Sequence, residues 1–432
     1  MGSTTPQRHG TPHPTGSVRS TVKLLRHGRL WITPGVLSAL VALVLSLLYM
    51  GGILTPEGSL HRLPVALVNQ DSGKPLPGQR QNLGAQLGDR IVSSTPPGDV
   101  EWRRLGHGAA LDQLASGKIY GALVVPAGFT DTVRSLSGAQ ATRPTLTVLT
   151  NPGMGSLGSS MASRITQQAA HQASLALGKQ LSSSSEFAGA DATARLLLTD
   201  PVAVKTEPGH PIGTHSGMGL SAFYYVLLLV LAGFLGGNII HNGVDTALGY
   251  ADAEIGPWHS RHPTVPISRT QTLLLKMVMT AVLSVPVTAL VMLACIAVLG
   301  MDASHLPLLA LFSYCSCLSV GLGVQAINAA FASIGQIVSM FVFIALALPS
   351  SGATVPLEAV PGFYRFLGVF EPMRQLVSGV RAILYFDARG DAGLVRAWIM
   401  IAVGVAAALV FGFLMTRYYD RKGLHRMVPR PE

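Results

Sequence analysis

Charge is the first thing this sequence is short of. Asp, Glu, Lys and Arg make up 12% of its 432 residues, against about a quarter in a soluble domain. Hydrophobic residues reach 49% and the mean hydropathy is +0.42, which excludes an ordinary soluble globule. Cysteine is nearly missing. Cys295, Cys315 and Cys317 lie in apolar stretches and residues 55–217 have none, so no disulfide framework is expected there. Cys315 and Cys317 have no His cluster beside them, so no metal site is predicted and core packing is the reading. No G-x-x-x-x-G-K-[ST] motif occurs, and the glycine-rich stretches 78–88 and 153–158 lack the lysine that would reach a phosphate. The chain is therefore expected to bind no ATP of its own. No nucleophile elbow, zinc motif or paired carboxylates accompany His107 and His171, so no catalytic residues are assigned and an enzyme is not expected.

Acidic residues are absent from positions 1–33, which hold Arg8, Arg19, Lys23, Arg26 and Arg29. Residues 417–432 carry Arg417, Arg421, Lys422, Arg426 and Arg430 against Asp420 and Glu432, whereas residues 55–217 balance thirteen basic against eleven acidic side chains. Most of the net charge of +10 thus sits in two tails beside apolar segments, as the positive-inside rule expects. No basic stripe interleaved with aromatics suggests nucleic acid.

What is abundant is apolar sequence in long runs. Six stretches, 35–54, 218–240, 277–300, 306–328, 331–349 and 397–416, are each about the length of a membrane span and contain no Asp, Glu, Lys or Arg. The first is too long for a signal-peptide core and no small-x-small site follows it, so it reads as an uncleaved anchor. The expected fold is a membrane all-α bundle of six transmembrane helices with an extracytoplasmic α/β domain inserted between the first and second spans. Its parts are a basic amphipathic tail (1–33), the first span (34–54), the α/β domain (55–217), a five-helix membrane domain (218–416) and a basic tail (417–432). Within the membrane domain, loop 241–276 is expected inside and segment 350–396 outside. Both termini are placed in the cytoplasm, and the location is the bacterial plasma (inner) membrane.

In the exposed domain, residues 64–68, 100–105, 119–125 and 144–150 read as strands. Residues 76–91, the surroundings of Leu111 and Leu114, and residues 159–181 read as helices. Asn69 and Asp71 either cap a turn or hold a ligand.

Several stretches together resemble a known family. Val65-Ala66-Leu67-Val68-Asn69-Gln70-Asp71-Ser72-Gly73 resembles the opening of the ectodomain of type-2 ABC (ABC-2) exporter permeases. Leu114 to Phe129 resembles their L-x-x-G … G-x-L-x-x-P-x-x-F run, and Asn151-Pro152-Gly153 their next turn. Ser351-Gly352, Pro356-Leu357-Glu358 and Pro361-Gly362-Phe363-Tyr364 resemble the outer-loop signature, and Gly379-Val380-Arg381 the closing G-x-R. The Asn-x-Asp form and the single long ectodomain are most like the phage-infection-protein branch. Glu371-Pro372-Met373-Arg374 and Ala353-Thr354 depart from the family pattern.

The resemblance implies a permease subunit that exports a hydrophobic or amphipathic substrate, with ATP and magnesium on a separate ABC ATPase subunit. It places a coupling helix at about 243–256, with Asp245, Asp252 and Glu254 facing that ATPase. A solvated acidic face is the alternative. Residues 18–30, with basic residues opposite Val18, Val22 and Leu25, suit a helix lying on anionic lipid. Six spans are half the family's set, which implies a homodimer or a heterodimer with a related permease. Gly404, Ala408 and Gly412 offer one small-residue face for it, as do Gly233 and Gly237, unless they pack within one subunit.

The outer segment 355–386 reads as helix–break–helix. Val360, Phe363, Leu367 and Phe370 form one apolar face, and Met373, Leu376, Val380 and Ile383 a second stripe after Pro372. Arg374 and Arg381 are expected on the opposite face, with Glu371 one turn before Arg374. Two functions are expected of this segment, an external gate or a plain anchor. A proton-coupled carrier is disfavoured because the spans lack carboxylates. A non-transporting scaffold, receptor or secretion accessory protein is the alternative to the exporter.

Overall fold

The computed structural model describes residues 28–137, 142–183, 192–260, 262–424 and 426. Most of the N-terminal basic tail, residues 425 and 427–432 of the C-terminal one, and Arg261 lie outside the described residues. The chain divides at Gly51 into two units. The first is essentially α1 (Gly28–Ile53), apolar on every side, with Leu37, Leu40, Leu43 and Leu47 all exposed. A helix without a polar face is built for lipid, not water.

In the second unit, β1 (Leu63–Asn69), α2 (Leu83–Ser94), β2 (Val100–Arg104), α3 (His107–Ala115), β3 (Gly121–Val125), α4 (Phe129–Arg134), β4 (Thr145–Thr150), α5 (Ser156–Ser182), α6 (Ala192–Thr199) and β5 (Ala203–Pro208) build one domain. Its sheet has the order β2-β1-β3-β4-β5, parallel except between β3 and β4. The strands β1 and β3 read LPVALVN and GALVV, continuous apolar runs that suit burial on both faces. On one face α2 and α5 press Leu83, Leu87, Ile91, Ala173 and Leu177 against Leu67, Leu123 and Leu146. On the other, α3 seats Ala110 and Leu114 on Ala66, Ala122 and Leu149. Each large side chain so buried stabilises the domain by about 1.5–3 kcal/mol.

Asp71 pins this domain from inside. It is buried, and its carboxylate accepts from the N–H groups of Gly73, Gly84 and Thr130 and from the Thr130 hydroxyl. Asn69 in turn accepts from the Asp71 N–H. The Asn-x-Asp pattern is thus a structural staple. The first helix starts at Leu83 instead of 76, because Pro75, Pro77 and Gly78 (φ +78°) keep the preceding chain out of helix until Asn82 caps it.

The rest of the unit is helical. After α7 (Ser221–Ala247) come a hairpin of β6 (Ala253–Ile255) and β7 (Trp258–Ser260), then α8 (Arg269–Met292) with a π-helical end through Val298. They are followed by α9 (Leu306–Phe331), α10 (Gly335–Met340), a π turn at Phe341–Ala345 and α11 (Ala347–Ser350). Segment 350–396 holds α12 (Gly362–Phe370) and α13 (Pro372–Tyr385), and α14 (Leu394–Arg421) is the last described element. Among the described residues five helices are long and apolar enough to cross a membrane: Gly35–Ile53, Ser221–Ala247, Arg269–Val298, Leu306–Ser350 and Leu394–Arg421.

The fourth of these is bent back on itself. Ala332 takes φ +51°, a helix-breaking conformation, and the following leg returns along α9. A Cβ on Gly335 would lie 2.7 Å from the Asn328 backbone, and one on Gly323 would meet the Phe343 ring.

Two expectations need correction. The helices run past the charge-free stretches, so α7 contains Asp245 and α8 contains Lys276, because these two charges pair with one another. The coupling helix expected at about 243–256 is absent: α7 stops at Ala247, Gly249 turns the chain at φ +73°, and a two-residue Gly256-Pro257 turn closes the hairpin.

Candidate functional site

Segment 355–386 folds as helix–break–helix, with its break at Glu371. Pro372 opens α13, where a missing N–H costs nothing. The Glu371 carboxylate caps that helix, accepting from the Arg374 N–H at 2.9 Å. Its other oxygen has no hydrogen-bond partner, and the side chain is buried. Burial pushes its pKa up to about 7, opposed by the N–H groups of Met373 and Arg374.

The two apolar stripes part company. Met373, Leu376, Val380 and Ile383 are all core. On α12, Phe363 and Phe370 are exposed together with Phe366, which the sequence reading did not single out, and Leu367 is half-buried. The arginines are not on an open opposite face. Arg381 is buried and donates from Nη2 to the Ala353 carbonyl at 2.9 Å, while Arg374 donates to the Gly368 carbonyl at 3.0 Å. A helix packed on both sides has no solvent face to give Arg381. Burial holds its guanidinium below its ordinary pKa.

Residues of the 114–129, 151–153 and 356–358 stretches meet at the junction between the sheet domain and segment 350–396. The Tyr120 hydroxyl donates to Glu358 at 2.9 Å, and its pKa is pushed well above normal by burial and then by that carboxylate. Phe386 packs against Gly117 and Gly153, each so close that a Cβ would strike its ring. His210 Nε2 lies 2.7 Å from the Tyr385 carbonyl, and the Tyr385 hydroxyl bonds Ser221 at the start of α7. Exposed ion pairs Lys118–Asp391 and Arg389–Asp112 rim the contact. Sequence reasoning quoted Gly117, Tyr120 and Gly153 but gave no role to His210, Tyr385 or Phe386. The two closely fitted glycines were the signal available.

Beside the break lies an apolar cleft of about 350 Å³, walled by Val320, Ile327, Phe343, Leu376 and Phe411. Phe370, Pro372 and Gln375 line it from segment 350–396, and Gly404 and Ala408 from α14. Gly404 has open space where a side chain would be, whereas Gly412 packs against Leu273, Ala326 and Met277 of the same chain. Ala408 joins that cluster.

At the far end of α7 the acidic residues separate. Asp245, expected to face a partner, is turned inward: Lys276 Nζ lies 2.6 Å from it, His241 Nε2 3.3 Å, and Arg426 also bonds it. A carboxylate among these groups cannot also project from the surface. Asp252 is exposed. Glu254 sits on β6 opposite His259, and its side chain lies outside the described residues. No cluster of metal-ligating side chains occurs among the described residues.

Long apolar helices joined to a small mixed sheet define a membrane-embedded helical protein. The chain belongs to the family described as protein of unknown function (DUF3533), whose model matches residues 35–404. No curated protein and no solved structure matches it.

Proposed function

We propose that this chain is the permease subunit of an ABC-type exporter, moving a hydrophobic or amphipathic substrate outward with ATP hydrolysed by a separate subunit. The reading takes the bent Leu306–Ser350 segment as two spans, giving six in all, with the sheet domain outside and both basic tails inside a bacterial plasma membrane. Segment 350–396 would then be the outer gate.

One observation carries it: the apolar cleft among the long helices is lined by Phe370 and Pro372, on either side of the break between α12 and α13. A movement of that break would open or close the cleft toward the outside. Ligand sites are commonly concave, mostly apolar and of this size. The partner ATPase would dock on the β6–β7 hairpin, where Asp252 and Glu254 remain as docking residues and Asp245 does not. The membrane subunits would pair as a homodimer or with a related permease, for which Gly404 leaves the open part of the small-residue face.

The test is purification of the full chain from its own membranes. An ATPase is expected to accompany it, and to be lost from an Asp252→Lys, Glu254→Lys variant that inserts normally. Absence of any ATPase from the wild-type preparation would sink the exporter reading and leave a non-transporting scaffold or receptor. The tight junction between sheet domain and outer segment would serve that role equally.

A further inference from the structure

We propose that a small cavity at the start of α8, lined by Arg269, Lys276 and Arg426, binds a phosphate group. Such a site needs only a membrane-embedded chain and is independent of the exporter reading.

The fold brings three cations to one point. Arg269 opens α8, and Lys276 follows two turns later on the same face, almost completely buried. Arg426 comes from beyond the end of α14. With two threonines, Leu273 and Ala329, they line a cavity of about 10 Å³, and among the described residues no carboxylate lines it. Arg426 lies near enough to both Arg269 and Lys276 for the like charges to repel.

The neighbouring acids do not cancel this charge. Asp245 accepts from Lys276 at 2.6 Å and from Arg426. His241 Nε2 lies 3.3 Å from the same carboxylate, and its Nδ1 accepts from Lys276 at 3.0 Å, which fits a neutral imidazole. Asp420 is turned to the start of α8, accepting from the N–H groups of Arg269 and Thr270, each at 3.0 Å, and from the Thr270 hydroxyl. Three cations thus face two carboxylates, and Arg417, Arg421 and Lys422 stand near the same end of the chain. An anion in the cavity relieves the repulsion that remains.

Size and setting choose the anion. About 10 Å³ holds about one water-sized atom, so a single phosphate oxygen enters and the rest of the group stays at the mouth. Thr272 and Thr416 donate to the Ser268 and Gly412 carbonyls, so recognition falls to the cations. Leu274, Leu275 and Val278 of α8 are exposed beside Lys276, where apolar helix surface gives way to charge. Basic pockets between membrane helices at the cytoplasmic side take anionic lipid headgroups, and the six-span arrangement proposed above puts this end inside.

The probe is dioctanoyl phosphatidylglycerol, added to the delipidated full chain in detergent, with bound lipid counted by native mass spectrometry. Dioctanoylglycerol, which lacks the phosphate, is the control, and inorganic phosphate tests the unattached ion. The phospholipid should bind saturably as a single molecule per chain, and dioctanoylglycerol should not. Arg269→Gln and Arg426→Gln should each weaken binding about tenfold. Lys276 is left in place because Asp245 depends on it. Arg417→Gln removes an exposed cation that does not line the cavity, and should leave the affinity unchanged. Weaker binding of inorganic phosphate than of the phospholipid assigns the site to a lipid headgroup, and equal binding assigns it to the free ion. Equal binding of dioctanoylglycerol, no effect of either cavity variant, equal weakening by Arg417→Gln or no saturable binding would each overturn the proposal.

Discussion

Glu371 and Asp71 are both buried carboxylates, and their hydrogen-bonding surroundings differ. Asp71 has three N–H groups and one hydroxyl on its two carboxylate oxygens. Glu371 has only the N–H groups at the start of α13, of Met373 and Arg374, and leaves one oxygen without a partner. Its folded pKa, raised from 4.5 to about 7, means the unfolded chain ionises first. The penalty is therefore absent below about pH 4.5, grows through the interval and is complete above about pH 7, on the order of 3 kcal/mol. Wild-type thermal stability should fall across that window, and Glu371→Gln should flatten the fall and exceed wild type at about pH 8. A parallel pair of pH profiles would place the destabilisation elsewhere. The position of Glu371 before Arg374 was legible from Pro372. Its burial was not, because that depends on packing between elements distant in sequence. Arg381 hid its burial for the same reason: its carbonyl partner, Ala353, lies 28 residues away.

The elements themselves were largely readable. Strands β1 to β4 and helices α3 and α5 fall within a few residues of their apolar patterns. β5 escaped because Ala203–Pro208 is mostly exposed and carries Lys205 and Glu207, which leaves no alternation to see. The β6–β7 hairpin escaped because three-residue strands carry too few residues to show a period. Helix crossings are less legible than helices, yet glycine marks one. On α7, a Cβ at Gly233 would lie 2.7 Å from the Cys317 carbonyl oxygen of α9, and one at Gly237 would lie 3.0 Å from Val324. Gly233→Leu should force the helices apart, costing about 1–3 kcal/mol or more, and should lower the yield and melting temperature in detergent. Gly404→Leu, with open space around it, should leave both unchanged. Equal loss in the two variants would mean that helix propensity or insertion, not this crossing, is being read.

For the whole molecule the outstanding quantity is which end of each helix faces which side. Ser94, at the end of α2, and Ser260, at the end of β7, are both exposed. In a background without the three native cysteines, Ser94→Cys should react with an impermeant maleimide on intact spheroplasts and Ser260→Cys only after lysis. Labelling of Ser260→Cys from outside would overturn the six-span arrangement. The sheet adds a consequence for how copies of this protein meet. It is open, so β2 and β5 each leave a row of backbone groups unclaimed by any neighbouring strand. Such borders invite a second chain to add itself on. Here Glu101 is gripped by Arg62 and Arg103 along one border, and Lys205 pairs with Glu207 on the other. An incoming strand would have to strip water from these ions without replacing it. Fibre-like growth and strand exchange are opposed at both borders, and crowding many copies into one membrane patch carries little risk of stitching their sheets together.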